Sequence, residues 1–238
     1  MWIATAPSVA LGDCEAIRDG WLHQPANAVS SLALLLAAVW IVRRAAKVPA
    51  ECPELITLAA IVAANGVASF GFHGPFATSF RWFHDLSALA VPLFVAVHDV
   101  GLVRGASVAG RLRGIVLGVV IVGALLARWP HLLVVLGFAG AVAAGVGELA
   151  AFRAGYRPRP GHATRMQLAA WALVLGILAL AGLAFLLGRS DSPWCHPSSL
   201  LQAHAAWHLL VALGSVAYAW AAFELRGAPP LPPGDQDS

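Results

Sequence analysis

The sequence predicts an all-α polytopic membrane protein of seven transmembrane helices, and three observations carry that prediction. Of its 238 residues, 59% are hydrophobic and only 11% are charged, whereas soluble domains run at about a quarter charged. Mean hydropathy is +0.76. Apolar runs long enough to cross a bilayer, which takes about 20 residues, recur seven times. The seven spans leave no length for a separate soluble domain and exclude a nucleic-acid-binding role.

The spans follow in order, each bounded by charge. The first, 27–42, precedes Arg43, Arg44 and Lys47; the second, 55–73, ends ahead of Arg81. The third, 82–103, leads into Arg104, Arg111 and Arg113, and the fourth, 113–127, into Arg128. The fifth, 131–151, is followed by Arg153, Arg157, Arg159 and Arg165, the sixth, 167–187, by Arg189, and the seventh, 200–223, by Arg226. No cleavable signal is expected ahead of the first span, because Met1–Gly12 lacks a positive leader and runs into Asp13, Glu15, Arg18 and Asp19, and that span is expected to act as its own insertion signal. Segments after spans one, three, five and seven hold eleven of the 15 Lys and Arg residues, the opposite side four. Positive residues favour the cytoplasm, which predicts the N-terminus outside and the C-terminus inside. The seven-helix domain is expected over 1–226, with a disordered Pro-rich cytoplasmic tail over 227–238. Gly114 and Gly118 in the fourth span, and Gly137, Gly140, Gly145 and Gly147 in the fifth, suit close helix packing.

Ionisable groups in hydrocarbon cost about 2.5–3.5 kcal/mol on insertion scales, so each needs a partner or a task. Ser69 and His73 close the second span, His84 and Asp85 open the third, and His204 and His208 open the seventh behind Gln202. The predicted topology puts all of them at one outer depth. His204 and His208, four residues apart, share a helix face, as do Ser69 and His73. Three imidazoles from two helices with one open position is the ligand set of a catalytic zinc site. For His84 an interfacial role is the simpler reading, and His98, Asp99 and Glu148 read as interfacial or packing groups near inner ends. His23 and His196 remain stand-in ligands, while His131 and His162 fall in loops or at span edges.

These residues resemble the alkaline ceramidase family, part of a superfamily of seven-span membrane hydrolases and receptors that includes the adiponectin and progestin receptors. The resemblance lies in Gln202-Ala203-His204-Ala205-Ala206-Trp207-His208-Leu209-Leu210 with Leu213-Gly214-Ser215, in Ser69-Phe70-Gly71-Phe72-His73, and in Asp85. It implies that His73, His204 and His208 bind zinc and that Ser69 and Asp85 are catalytic. The interval from His73 to Asp85, twelve residues, is slightly longer than in typical members. Asp13-Cys14-Glu15 and Asn27-Ala28-Val29-Ser30 also resemble N-terminal stretches of the family, whose acidic segment helps to bind calcium in eukaryotic members. Here Asp13, Glu15 and Asp19 are the candidate calcium ligands, although Ile17 and Gln24 depart from that pattern. Cys14 and Cys195 fall on the predicted outer side, where a disulfide is permitted; Cys52 falls inside and is expected to stay reduced.

The function implied by the resemblance is zinc-dependent hydrolysis of the amide bond of ceramide or a related N-acyl lipid, giving a sphingoid base and a fatty acid. Asp85 is expected to carry protons and Ser69 to stabilise the oxyanion. The expected partner is a membrane lipid, and no protein partner is evident. A lipid receptor or sensor with a structural zinc site is a second class, against which the short cytoplasmic loops argue. A haem protein with histidine pairs across helices is a third. Arginine-rich usage with the single Lys47 suggests a bacterial inner membrane with the site towards the periplasm, or the lumenal side in a eukaryotic cell.

Overall fold

The computed structural model describes residues 12–49, 52–77, 79–156 and 165–224. Seven helices long and apolar enough to cross a membrane run through it, and no strand is found among the described residues beyond one isolated bridge between Asp13 and Arg189. They are α1 (Pro25–Ala45), α2 (Cys52–His73), α3 (Phe80–Val103), α4 (Val108–Arg128), α5 (Leu133–Arg153), α6 (Arg165–Leu187) and α7 (Ala203–Ala219). The chain is an integral multi-pass membrane protein, with large apolar side chains such as Phe138, Leu117 and Leu175 turned outward. The tail expected over 227–238 lies outside the described residues.

Helix ends depart from the predicted spans by a few residues. α4 begins at Val108 rather than 113, because Ser107 accepts a hydrogen bond from the Gly110 N–H and caps it. α5 is entered through a 3₁₀ turn at Pro130–Leu132, and α7 runs on through a π-helical turn at Trp220–Glu224.

α1, α2, α3 and α7 surround the main core, in which Leu34, Ile41, Leu58, Val62, Phe94 and Ala222 are buried. α3 also carries α4 and α5 on its outer side. Glycines permit both approaches: a Cβ on Gly118 would lie 3.0 Å from Leu93, and one on Gly140 would lie 3.4 Å from Pro92. α6 packs on α7, while α5 and α6 scarcely meet along their length.

One end of the bundle gathers the starts of α1, α3, α5 and α7 and the ends of α2, α4 and α6. The segment before α1 crosses this end. Its Cys14 N–H donates to the Gly188 carbonyl at 2.9 Å, its Ala16 N–H to that of Pro197 at 3.0 Å, and its Gln24 N–H to that of His73 at 2.9 Å. A Cys14–Cys195 disulfide ties the segment to the loop before α7, and Cys52 is free. The Glu15 carboxylate accepts the N–H groups of Ala26 and Asn27, each at 2.9 Å, and so caps α1 from nine residues upstream of Gln24, whose own side chain makes no cap.

At the opposite end the buried polar groups are packing elements. Arg111 of α4 reaches Glu54 of α2 with Nε at 2.6 Å and Nη2 at 3.0 Å. His98 and Asp99 of α3 bond to each other and to the Tyr218 hydroxyl of α7, at 2.9, 3.0 and 3.1 Å.

Candidate metal centre

His73 ends α2, His84 lies in the first turns of α3, and His204 and His208 open α7, so three helices each bring imidazole to one depth. All four are buried, and one ligand nitrogen from each falls within 4.8 Å of all the others. Ring centroids of His73, His204 and His208 are 4.8–5.4 Å apart. His84 is 5.2 Å from His73 but 6.0 and 6.4 Å from His204 and His208. Helix spacing alone supplies the α7 pair, since residues four apart stack on one face; the pairing with His73 and His84 comes from tertiary packing.

Each ring is held from behind through its Nδ1. His73 Nδ1 is 2.6 Å from Gln24 Oε1, and the Gln24 amide nitrogen donates to the Glu15 carbonyl, which fixes the amide orientation. His84 Nδ1 is 2.9 Å from Asp85 Oδ1, and His204 Nδ1 is 3.5 Å from Asp13 Oδ1. His208 Nδ1 is 2.9 Å from the Ser30 hydroxyl, which donates its own hydrogen to the Asn27 carbonyl. In every case the partner atom is an acceptor, so Nδ1 carries the proton and Nε2 presents a lone pair.

The four Nε2 atoms have no hydrogen-bond partner among the described residues although all are buried. Four converging lone pairs without a donor are unfavourable unless a cation satisfies them. Neutral imidazoles whose far nitrogens are bound to carboxylate, amide or hydroxyl oxygens are what metal ligation requires. The residues therefore fit a metal ion, and imidazole sets suit zinc, copper, iron and nickel.

The sequence-predicted residues fall into three groups. His73, His204 and His208 come together. Asp85 lies behind His84 rather than among the rings, its Oδ2 3.9 Å from Arg81 Nε. Ser69, one turn below His73 and fully buried, donates to Asn65 Oδ1 at 3.2 Å. The acidic residues of the N-terminal segment take separate tasks: Asp13 faces His204, Glu15 caps α1, and Asp19 is exposed. Among the described residues the histidine cluster is the metal-competent group, and these three acids do not converge into another.

The interfacial reading of His84 gives way to a place in the cluster, and Gln24, Ser30 and Asn65 join the site as hydrogen-bond partners that the sequence pattern does not single out. His84 lies eleven residues after His73 and immediately before Asp85. Asn65 lies eight residues before His73 on the same face of α2; its carbonyl oxygen accepts the hydroxyls of Ser69 and Ser87, leaving its buried Nδ2 without a partner. His23 and His196 stay outside the cluster.

The fold and the centre define a class: a seven-helix membrane protein with a buried four-histidine cluster able to hold a metal ion. Compared with protein-family models and with curated proteins, the chain matches none.

Proposed function

We propose that this chain is an intramembrane zinc-dependent hydrolase that cleaves the amide bond of N-acyl lipids, ceramide-like lipids among them. The observation that carries the reading is the convergence of four buried Nε2 atoms without a partner among the described residues, one of them on His84, which is paired with Asp85. Zinc held by His73, His204 and His208 would supply a Lewis acid that polarises the amide carbonyl and makes water a nucleophile near neutral pH.

The chain's own groups provide the proton transfers. His84, whose ring centroid lies farther from the α7 imidazoles than that of His73, accepts through Nε2 the proton of the attacking water and passes it to the leaving amine nitrogen. Asp85 orients His84 through Nδ1, the third-group role familiar from hydrolytic triads. Asn65 Nδ2, with Ser69 beside it, is a buried donor available to developing negative charge. α5 and α6 scarcely meet along their length, and acyl chains would enter laterally on that side. The arginine distribution supports an outward, periplasmic position for the site.

One observation favours a second reading. Four imidazoles within mutual reach also match the ligand number of a closed tetrahedral site, and closed sites are structural, which would suit a lipid receptor or sensor. Metal analysis of the detergent-purified chain with assays of fatty-acid release separates the two. The hydrolase is expected to hold one zinc per chain and lose release on chelation, with His204→Ala and His208→Ala losing metal and turnover together. Zinc without turnover on any N-acyl lipid would favour the sensor; zinc retained by both variants would sink the site assignment.

A further inference from the structure

The segment before α1 backs two imidazoles that stand on different helices. Asp13 Oδ1 lies 3.5 Å from Nδ1 of His204 on α7. The Glu15 carbonyl accepts the Gln24 amide N–H at 2.7 Å, and Gln24 Oε1 lies 2.6 Å from Nδ1 of His73 on α2. Cys14, the residue between Asp13 and Glu15, is the one bonded to Cys195 in the loop before α7. The bridge therefore fixes the segment at the point from which both supports depart.

Segment and loop meet against the centre itself. Besides the bridge they are joined by the Cys14 N–H to the Gly188 carbonyl at 2.9 Å, the Ala16 N–H to that of Pro197 at 3.0 Å and the Ser190 N–H to that of Gly12 at 3.0 Å. A Cβ on Gly188 would lie 2.6 Å from the His204 backbone nitrogen, so the start of the loop abuts the first ligand of α7. A shift of the segment against the loop moves the Asp13 carboxylate relative to His204 and pulls Gln24 from behind His73. Partners of this kind set the orientation and basicity of ligand rings, and their loss costs about 10–100-fold in metal affinity. The two sulfurs also differ in access. Cys14 is buried, whereas Cys195 is half-buried between the exposed residues Trp194 and His196, so a thiolate approaches the bridge at Cys195 Sγ with Cys14 as the leaving group.

We propose that the Cys14–Cys195 bridge is a redox control on metal retention: closed, it holds the supports behind His73 and His204, and its cleavage by a dithiol lowers the affinity of the histidine centre. The exchange balances with one dithiol. A thiolate of the dithiol forms a mixed disulfide with Cys195 and releases Cys14; its second sulfur then resolves that bond, and the dithiol leaves as its own disulfide. Two electrons and two protons pass to the chain, which ends with Cys14 and Cys195 as thiols, and a disulfide oxidant reverses the step. The inference rests on the metal centre of the proposed function and is independent of the lipid cleaved.

The test measures the zinc Kd of the full chain in detergent by competition with a chromogenic chelator, before and after treatment with dithiothreitol and anaerobic removal of the reagent. Cleavage is confirmed by thiols rising from one per chain, Cys52, to three. Reduction is expected to raise the Kd about tenfold or more, and reoxidation to restore it. Cys14→Ser with Cys195→Ser should hold zinc as weakly as the reduced chain and ignore the reagent, which also separates the effect from zinc capture by freed thiolates. Asp13→Ala with Gln24→Ala should weaken zinc binding in the oxidised chain, and reduction should then add little, because the bridge acts through those two residues. An unchanged Kd after confirmed cleavage would overturn the redox control and leave the metal centre standing. A full further loss on reducing the Asp13, Gln24 variant would overturn the route through the segment. Failure of the oxidised natural chain to bind zinc would overturn the metal centre, and the control with it.

Discussion

His84 is the residue on which the proposed hydrolase and a closed structural site differ. It is the outlying member of the cluster, at 6.0 and 6.4 Å from the α7 rings, and it is backed by Asp85 at 2.9 Å. If it acts as base, His84→Ala keeps about one zinc per chain and slows amide hydrolysis by about 10²–10⁴, the usual contribution of a positioned acid–base group. Asp85→Asn should likewise keep the metal and lower kcat more than it changes KM, since the ring loses its orientation rather than its presence. Loss of zinc from His84→Ala, read by metal analysis, would make the ring a fourth ligand and close the site. Much of this was legible in the sequence, because residues four apart on α7 must share a face and a histidine at a helix end in an apolar chain demands a partner. That His84 lies among the rings, with Asp85 behind it, was not legible. Adjacent residues in a helix point about 100° apart, and only the packing of α3 against α2 sets which one faces the rings.

At the scale of elements, the N-terminal segment matters as much as the helices, and periodicity could not reveal it. Gln24 and Glu15 lie outside the spans, yet Gln24 holds His73 and Glu15 caps α1. Burial pushes the Glu15 carboxyl above its ordinary value of 4.5, outweighing the Asn27 and Ala26 N–H groups and Arg18, which pull it down. The folded chain therefore binds this proton more tightly than the unfolded chain. Its share of the stability is full below the ordinary value and is lost as pH rises through the folded pKa. Glu15→Gln, which keeps one acceptor and cannot ionise, should flatten the fall of Tm with pH above about 4.5; an unchanged slope in thermal melts would assign that fall to other groups. The disulfide is a second restraint on the same segment. It was legible as far as the two cysteines sharing a side, whereas the contact itself depends on the pairing of residues 12–16 with 188–197.

Across the whole molecule the polar groups divide between the two ends of an apolar bundle, and the ends are held differently. One end is fastened within the described chain by the Arg111–Glu54 pair and the His98–Asp99–Tyr218 bonds, which join α2 to α4 and α3 to α7. The other end brings α2, α3 and α7 together through imidazoles whose Nε2 atoms have no partner among the described residues, so a bound cation there would tie the three helices. A ligand that binds only the folded state stabilises it by RT ln(1 + [L]/Kd), about 2.7 kcal/mol at a hundredfold excess over Kd. Chelation should therefore lower the Tm of the detergent-solubilised protein by several degrees, and restored zinc should raise it again in proportion to the logarithm of its concentration. His73→Ala should melt at the same temperature with and without chelator, because it removes the one ligand supplied by α2. A chelator-independent Tm in the unmodified chain, with zinc shown to be absent, would mean that the four rings are satisfied without metal and that the centre has been misread.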